Sequence, residues 1–387
     1  MINIRTLNKI SACGTDKFDT AKYAVSDTCE NPDAIMVRSA AMHDMQFGDR
    51  LIAVARAGAG VNNIPIDRCS EAGICVFNTP GANANAVKEL VLCGLLLTSR
   101  KITDGVKWAE SLKGNGAEVG KLVEKGKSQF VGPEIGGKTL GIIGLGAIGA
   151  LVANAAVSLG MDVVGYDPFL SVNAALSLSP SVKVVTDLKD LYAVSDYITI
   201  HVPYNADTKD TIREETIAQM KDGVRILNYA RGELVSNADI TKALESGKVA
   251  AYAVDFPADD ILGVKNVIPT PHLGASTPES EDNCAKMAAS ELIDYIENGN
   301  IRNSVNLPNA EMTATGTKVC IIHKNIPAII SQLTTVFGDA GINIENMLNR
   351  SKKDYAYTII DAQGDVSCSI VQKIESIDGV IRVRAIQ

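Results

Sequence analysis

The segment Gly144-Leu145-Gly146-Ala147-Ile148-Gly149 follows an apolar run from Leu140 and opens a stretch whose apolar residues, Leu151, Val152, Ala155, Ala156 and Leu159, share helical spacing. A second apolar run, Val163 to Tyr166, then ends at Asp167, 18 residues beyond Gly149. A strand, a G-x-G-x-x-G turn, a helix and an acid in this order are the parts of a dinucleotide site. Gly144 permits the tight turn, Gly146 lets the backbone approach a pyrophosphate, and Gly149 lets helix and strand pack closely. The amides of Ala147 and Ile148 offer donors at the positive end of a helix dipole. Asp167 can accept hydrogen bonds from a ribose diol and would repel a 2′-phosphate, which favours NAD over NADP. A glycine-rich packing turn beside a solvated Asp is the bland alternative, and it leaves the agreement of four parts unexplained.

Further along, Asn228-Tyr229-Ala230-Arg231 places an arginine just past the buried run Val224 to Leu227, on the side where a doubly wound sheet binds ligands. Thr270-Pro271-His272-Leu273-Gly274-Ala275-Ser276-Thr277 places a histidine in a loop punctuated by Pro and Gly. Taken singly, each reads equally well as a salt-bridged surface Arg and a loop His bonded to backbone. His201, at the end of another apolar run and just before Pro203, reads as structural, and His43 as a solvated residue. The eight cysteines are scattered with no C-x-x-C, so neither a metal site nor a disulfide framework is expected.

Short apolar runs alternate with helical patterns: Ala34 to Val37, Leu51 to Ala55, Leu140 to Gly144, Val163 to Tyr166, Tyr197 to Ile200, Val224 to Leu227. That rhythm implies parallel βαβ units whose strands are buried on both faces. The segment from Ile102 to Gly137 interrupts it and reads as a long helix plus an excursion; Asn298 to Gly316, rich in Asn, reads as a linker. Residues 317–387 order as strand, helix, strand, strand, helix, strand, the βαββαβ arrangement.

The chain of 387 residues is long enough for two to three domains at about 150 residues each. Its 46% apolar and 21% charged residues are ordinary globular usage, which excludes a disordered or fibrous chain. A net charge of −8 argues against nucleic-acid binding, which needs clustered Lys and Arg. No basic segment followed by an apolar run opens the chain. The longest apolar stretch, Leu90 to Leu97, is about half of what spans a bilayer. A soluble cytoplasmic protein with no membrane partner is expected.

From Lys221 to Thr277 the chain resembles the D-isomer-specific 2-hydroxyacid dehydrogenase family, whose markers are N-x-x-R-G, D-V-F-x-x-E-P and T-P-H-x-G-x-S/T. The resemblance reaches back through His201-Val202-Pro203, the glycine loop, Val37-Arg38-Ser39, Arg56-Ala57-Gly58 and Asn78-Thr79-Pro80, and points to the branch acting on 3-phosphoglycerate. It implies an NAD-dependent dehydrogenase in which Arg231 clamps the substrate carboxylate and His272 exchanges a proton with the C2 hydroxyl, oriented by an acid. The chain departs from the pattern here. Asp255-Phe256-Pro257-Ala258-Asp259-Asp260 stands where D-V-F-x-x-E-P is expected, so the acid is Asp260 by direct count, or Asp259 if one residue is deleted. Arg38 and Arg56, with Ser39, Ala57 and Gly58, are the implied holders of phosphate and carboxylate. Pro203, Tyr229, Ala230, Asp255 and Gly274 join the glycine loop and Asp167 as implied cofactor contacts.

The C-terminal 70 residues or so resemble an ACT domain, through His323-Lys324-Asn325-Ile326-Pro327 and Asn343. The resemblance implies an effector site at His323, Asn325 and Asn343, an L-serine effector, and a homodimer or homotetramer. Ala328 stands where that family usually has Gly.

The expected architecture is α/β: a flavodoxin-like substrate domain (1–97 and 277–305), a Rossmann NAD domain (98–276), a linker (306–316) and an ACT regulatory domain (317–387). Two other functions remain open: a dehydrogenase for another 2-hydroxy acid, and a catalytically inactive NAD-sensing regulatory protein.

Overall fold

The structure is a computed structural model and describes residues 1–386, apart from the side chain of Asn173. The chain forms two compact units, Met1–Asn83 with Pro278–Gln387, and Ala84–Thr277.

The first unit opens with five parallel strands, β1 (Ile2–Leu7), β2 (Tyr23–Ser26), β3 (Ala34–Val37), β4 (Ala53–Arg56) and β5 (Cys75–Phe77). Their order is β2-β1-β3-β4-β5, the doubly wound order of a flavodoxin-like sheet. Side chains alternate across a strand, so the unbroken apolar run of β3 serves two cores at once. Ala34 and Met36 join one buried cluster, Ile35 and Val37 the other.

The second unit holds β6 (Thr139–Ile143), β7 (Asp162–Tyr166), β8 (Lys183–Val185), β9 (Tyr197–Ile200), β10 (Val224–Asn228), β11 (Val249–Val254) and β12 (Val267–Pro269). All pair in parallel, in the order β12-β11-β10-β9-β6-β7-β8, so the winding reverses between β6 and β9. The helix Ala84–Ser99 belongs to this unit, although the sequence suggests a boundary after residue 97. Its Val87, Val91 and Leu95 are buried with Leu140, Ile142 and Leu227 of the sheet, and that packing outweighs the position of the helix in the chain. Between Ile102 and Gly137 the expected long helix is replaced by two short ones, Ile102–Ser111 and Val119–Gly126, each followed by or joined to a 3-10 turn. Gly114 and Gly116, both at positive φ, break the helix between them.

The C-terminal part of the first unit is β13 (Thr317–Lys324), helix Ile329–Asp339, β14 (Ile344–Lys352), β15 (Tyr355–Ala362), helix Cys368–Glu375 and β16 (Val380–Ile386). The sheet is antiparallel, ordered β14-β15-β13-β16, as the βαββαβ reading requires. It is covered on both faces. Val319 and Ile321 pack on its own helices, while Cys320 and Ile322 join the cluster containing Leu292 and Tyr295 of helix Pro278–Asn298. Ala328 takes φ 67 at the start of helix Ile329–Asp339, a left-handed conformation in which Gly would be unstrained.

The segment read as a linker is packed in place. Leu307 and Ala310 are buried, Ile301 and Ala310 form an antiparallel bridge, and Asn306 fixes the edge of β5. The Asn306 side chain accepts from the Val76 amide at 2.9 Å and donates to the Ile74 carbonyl at 2.9 Å. Asn306, one of the asparagines that suggest a loop, satisfies strand-edge backbone groups that burial would otherwise leave unpaired. No described helix is long and apolar enough to cross a membrane.

Candidate active site

The glycine loop lies at the carboxyl end of β6, beside the point where the sheet reverses, which is where open α/β sheets bind ligands. The three glycines differ in their surroundings. Gly144 has φ 93, and a Cβ there would lie 2.7 Å from the His201 carbonyl oxygen. A Cβ on Gly149 would fall well under 3.0 Å from the Gly144 carbonyl oxygen. A Cβ on Gly146 would meet nothing within 4 Å, so the backbone of this turn is open to a ligand. Helix Ala147–Ser158 starts here, with Ala147 and Ile148 in its first turn. Asp167, past the end of β7, accepts from the Leu145 amide at 2.9 Å with one oxygen and from the Phe169 amide at 2.9 Å with the other. It therefore ties the glycine turn to β7 while each oxygen keeps a further lone pair. This open turn, its helix N-terminus and the acid fit a dinucleotide.

His201 lies just past the end of β9. Its Nε2 lies 3.0 Å from Thr199 Oγ1, Nδ1 is buried without a partner, and burial lowers its pKa to about 3, so it stays neutral. Pro203 is exposed, and its carbonyl accepts from Thr208 Oγ1 at 2.7 Å. His43 is exposed, with Nε2 3.0 Å from the Asn62 carbonyl oxygen.

Three neighbouring strands, β10, β11 and β12, deliver the remaining polar residues to the same carboxyl edge. After β10 the buried Asn228 folds the chain back on itself, donating from Nδ2 to the Arg231 carbonyl at 2.8 Å and accepting from the Ala230 amide at 3.2 Å. Arg231 is thereby presented in extended backbone, and its side chain is exposed. Tyr229, expected at the cofactor, instead points its side chain into the core beside Gly94, where burial raises its pKa. After β11 come Asp255, which is buried, and Phe256, which is half-buried. After β12 comes His272, exposed and at φ 55.

Phe256 joins the two candidate catalytic groups. The Arg231 guanidinium carbon lies 5.4 Å from its ring centre, within cation–π range, and the His272 ring centre 4.4 Å from it. This residue stood in the D-V-F-x-x-E-P segment, but its contact with both partners is visible only in three dimensions. Asp260, expected to orient His272, accepts from Asn237 Nδ2 at 2.9 Å, and no carboxylate hydrogen-bonds the His272 ring among the described residues. The 3-10 turn Asp259–Ile261 carries Asp260 toward helix Asn237–Ser246 because Ile261 is buried in the neighbouring core. The Asp255 carboxylate is taken up by the His272 loop: it accepts from Thr270 Oγ1 at 2.6 Å, the Leu273 amide at 2.8 Å and the Gly274 amide at 2.8 Å.

In the first unit, Arg38 and Arg56 lie at the carboxyl ends of the adjacent strands β3 and β4. Arg56 Nε donates to the Arg38 carbonyl at 3.0 Å, and Arg38 Nη2 pairs with Glu281 Oε1 at 2.7 Å. The Ser39 amide donates to Asn8 Oδ1 at 3.1 Å, and the Ala57 amide to the Val37 carbonyl at 2.8 Å. Gly58, at φ 154, leaves room for the Arg56 guanidinium, which a Cβ would touch at 2.5 Å.

Of the three residues expected at the effector site, His323 is buried within the sheet, with ring nitrogens 2.8 Å from the Lys324 carbonyl and from Thr358 Oγ1. Burial lowers its pKa, opposed by the bond to the Lys324 carbonyl. Asn325 and Asn343 are exposed, bonded to the Lys353 carbonyl and to Glu345.

A dinucleotide turn and an Arg–aromatic–His cluster on one edge of a parallel sheet define a class, the pyridine-nucleotide-linked dehydrogenases. Residues 94–274 match the model of the D-isomer specific 2-hydroxyacid dehydrogenase, NAD binding domain. A D-3-phosphoglycerate dehydrogenase of Haemophilus influenzae is 34% identical over 355 residues, covering 88% of this chain and 83% of that one. A second, of Archaeoglobus fulgidus, is 37% identical over 292 residues, and the chain covers 52% of it. The solved D-mandelate dehydrogenase of Rhodotorula graminis superposes with a TM-score of 0.65 at 24% identity, over 76% of this chain and 94% of that one. The chain belongs to the D-isomer-specific 2-hydroxyacid dehydrogenase family and is an NAD-dependent dehydrogenase of a small-molecule substrate.

Proposed function

We propose that the protein interconverts 3-phospho-D-glycerate and 3-phosphohydroxypyruvate, the entry to L-serine biosynthesis, in the cytoplasm. The observation that supports this reading most directly is the convergence of Arg231 and His272 on Phe256, in a chain similar over most of its length to D-3-phosphoglycerate dehydrogenases. The glycine turn, the first amides of helix Ala147–Ser158 and Asp167 would hold the NAD. Bound NAD would supply the two-electron acceptor and donor that the interconversion of a hydroxy acid and a keto acid needs. Arg231 fixes the substrate carboxylate with two parallel N–H bonds and so aims C2. His272 takes the proton of the C2 hydroxyl as the carbonyl forms, and returns it in the reduction. The phosphate is assigned to Arg38 and Arg56, with Ser39, Ala57 and Gly58 offering short-range contacts.

The C-terminal βαββαβ module is read as an ACT sensor for L-serine, with Asn325 and Asn343 as its contacts and His323 as a sheet residue supporting them. The active form is read as a homodimer or homotetramer.

Absorbance at the NADH band tests the reaction. The purified chain is expected to oxidise NADH with 3-phosphohydroxypyruvate and far more slowly with unphosphorylated hydroxypyruvate. Equal rates with both would assign the enzyme to another 2-hydroxy acid, and no oxidation with either would leave a nucleotide-binding protein without catalysis. Titrating L-serine into the same assay tests the sensor: unchanged rate and thermal stability at millimolar serine would remove it.

A further inference from the structure

We propose a second ligand site within the first unit: a polar cleft between the end of β14 and the segment 303–309, which takes a small organic carboxylate carrying a hydroxyl or ammonium group. The cleft has a volume of about 520 Å³. Strand pairing builds it. Phe77 of β5 bridges Ser304 antiparallel, and the Val305 amide donates to the Val76 carbonyl at 2.9 Å, so the segment runs along the edge of β5. β14 of the C-terminal module ends over the same segment, where Lys352 Nζ donates to the Ser304 carbonyl at 2.9 Å. Asn78, just past β5, and Asn303 form the wall facing β14. Neither Asn325 nor Asn343 lines this cleft.

Lys352 is the group that calls for an anion. It is half-buried, and among the described residues no carboxylate pairs with it. Burial lowers its pKa, and so does the like charge of Lys353. The carboxyl bonded to the facing wall is that of Glu291, which accepts from Asn303 Nδ2 at 2.8 Å. Burial raises the Glu291 pKa to about 8, so near pH 7 it is mostly protonated and supplies no counter-charge. A half-desolvated ammonium without a counter-ion is unfavourable, and an anion entering the cleft relieves it. Only one of the three Lys352 donors is taken by Ser304, which leaves two for a ligand. Ser351 Oγ and the Asn309 side chain, which have no hydrogen-bond partner among the described residues, add donors for the same carboxylate. The facing wall offers the complementary groups. Asn78 and Asn303 use Nδ2 on the Ala59 carbonyl, at 2.6 Å, and on Glu291, so both Oδ1 atoms remain as acceptors. A carboxylate that also carries a hydroxyl or ammonium satisfies both walls; a plain dicarboxylate satisfies only the first.

Isothermal titration calorimetry on the full chain tests the site without turnover, with L-malate, L-aspartate and succinate as probes. An Arg231→Ala background keeps the carboxylate clamp assigned to the substrate from contributing heat. L-malate or L-aspartate is expected to bind about 2- to 10-fold more tightly than succinate, the worth of one neutral hydrogen bond, and the tighter of the two identifies a hydroxy acid or an amino acid as the ligand. Lys352→Gln is expected to weaken the tighter probe about 10- to 150-fold, the worth of a charge-assisted bond. Because Lys352 also holds Ser304, Asn309→Ala serves as the variant that disturbs no bond within the protein; about 2- to 10-fold weakening is expected there. Asn343→Ala, which alters the effector site read from the C-terminal module, is expected to leave this affinity unchanged. Absence of binding at millimolar probe, succinate binding as tightly as the other two, or an affinity indifferent to Lys352→Gln or to Asn309→Ala would overturn the proposal. So would binding lost in Asn343→Ala, which would return the ligand to the effector site.

Discussion

Two of the three glycines of the turn, Gly146 and Gly149, make opposite predictions from the same methyl group. A Cβ on Gly149 would press into the Gly144 carbonyl oxygen, well inside the 3.0 Å that real Cβ atoms respect, and both groups are backbone held by buried structure. Relief requires helix Ala147–Ser158 to lift from β6, and overpacking of this kind costs about 1–3 kcal/mol. For a unit of this size that is a fall in Tm of about 2–12 °C. At Gly146 the methyl meets nothing, the backbone there (φ −69, ψ −160) suits any residue, and Gly→Ala at such a site stabilises by about 0.4–1 kcal/mol. What Gly146→Ala removes is the close approach of a pyrophosphate. Loss of one charge-assisted hydrogen bond, about 1.5–3 kcal/mol, weakens NADH binding about 10- to 150-fold. Thermal denaturation of the free protein and fluorescence titration of NADH read the two effects separately. A Gly146→Ala variant that binds NADH like the parent, or a Gly149→Ala variant as stable as the parent, would show that the turn does not hold the dinucleotide as argued.

Glu291, buried on helix Pro278–Asn298 and bonded through one oxygen to Asn303 Nδ2 at 2.8 Å, has its pKa raised to about 8 by that burial. A carboxyl with a folded pKa above its unfolded value binds its proton more tightly when folded, so stability falls as pH rises from about 4.5 to about 8. Glu291→Gln, neutral throughout, is expected to melt above the parent at pH 8 and close to it at pH 5; parallel curves would show Glu291 to be ionised in the fold. Glu281 occupies the Arg38 guanidinium in an exposed pair worth at most about 1 kcal/mol, so Glu281→Gln is expected to lower KM for the phosphorylated substrate by up to about fivefold at low salt with kcat unchanged. A raised KM would show that the pair orders Arg38 for the phosphate rather than competing with it.

What was legible in the sequence was what short-range rules govern. The glycine turn and its acid lie within a single βαβ unit, so spacing alone assigns Gly144, Gly146 and Gly149 their separate tasks; the left-handed turn at Gly144 and the close packing at Gly149 are seen in the fold. Unbroken apolar runs such as Ala34 to Val37 announced strands buried on both faces, and the βαββαβ order of residues 317–387 followed from the same periodicities. The misreadings share a cause. Asn306 looked like loop chemistry because its partners, Val76 and Ile74, are more than two hundred residues away. Helix Ala84–Ser99 looked continuous with what precedes it because chain order is silent on which core its apolar stripe enters.

The sequence by itself determined the kinds of residue available and the elements that carry them: an arginine, a histidine and a glycine turn, each just past the end of a strand. Only the tertiary structure decided which of them meet. The sheet order β12-β11-β10 sets three sequence-distant strand ends side by side, which places Phe256 between Arg231 and His272. It also turns Asp260 to Asn237 and closes Asp255 on the histidine loop. The physical reason is that a carboxylate's role is set by the donors within about 3 Å of it, and those donors are chosen by packing rather than by neighbours in the chain.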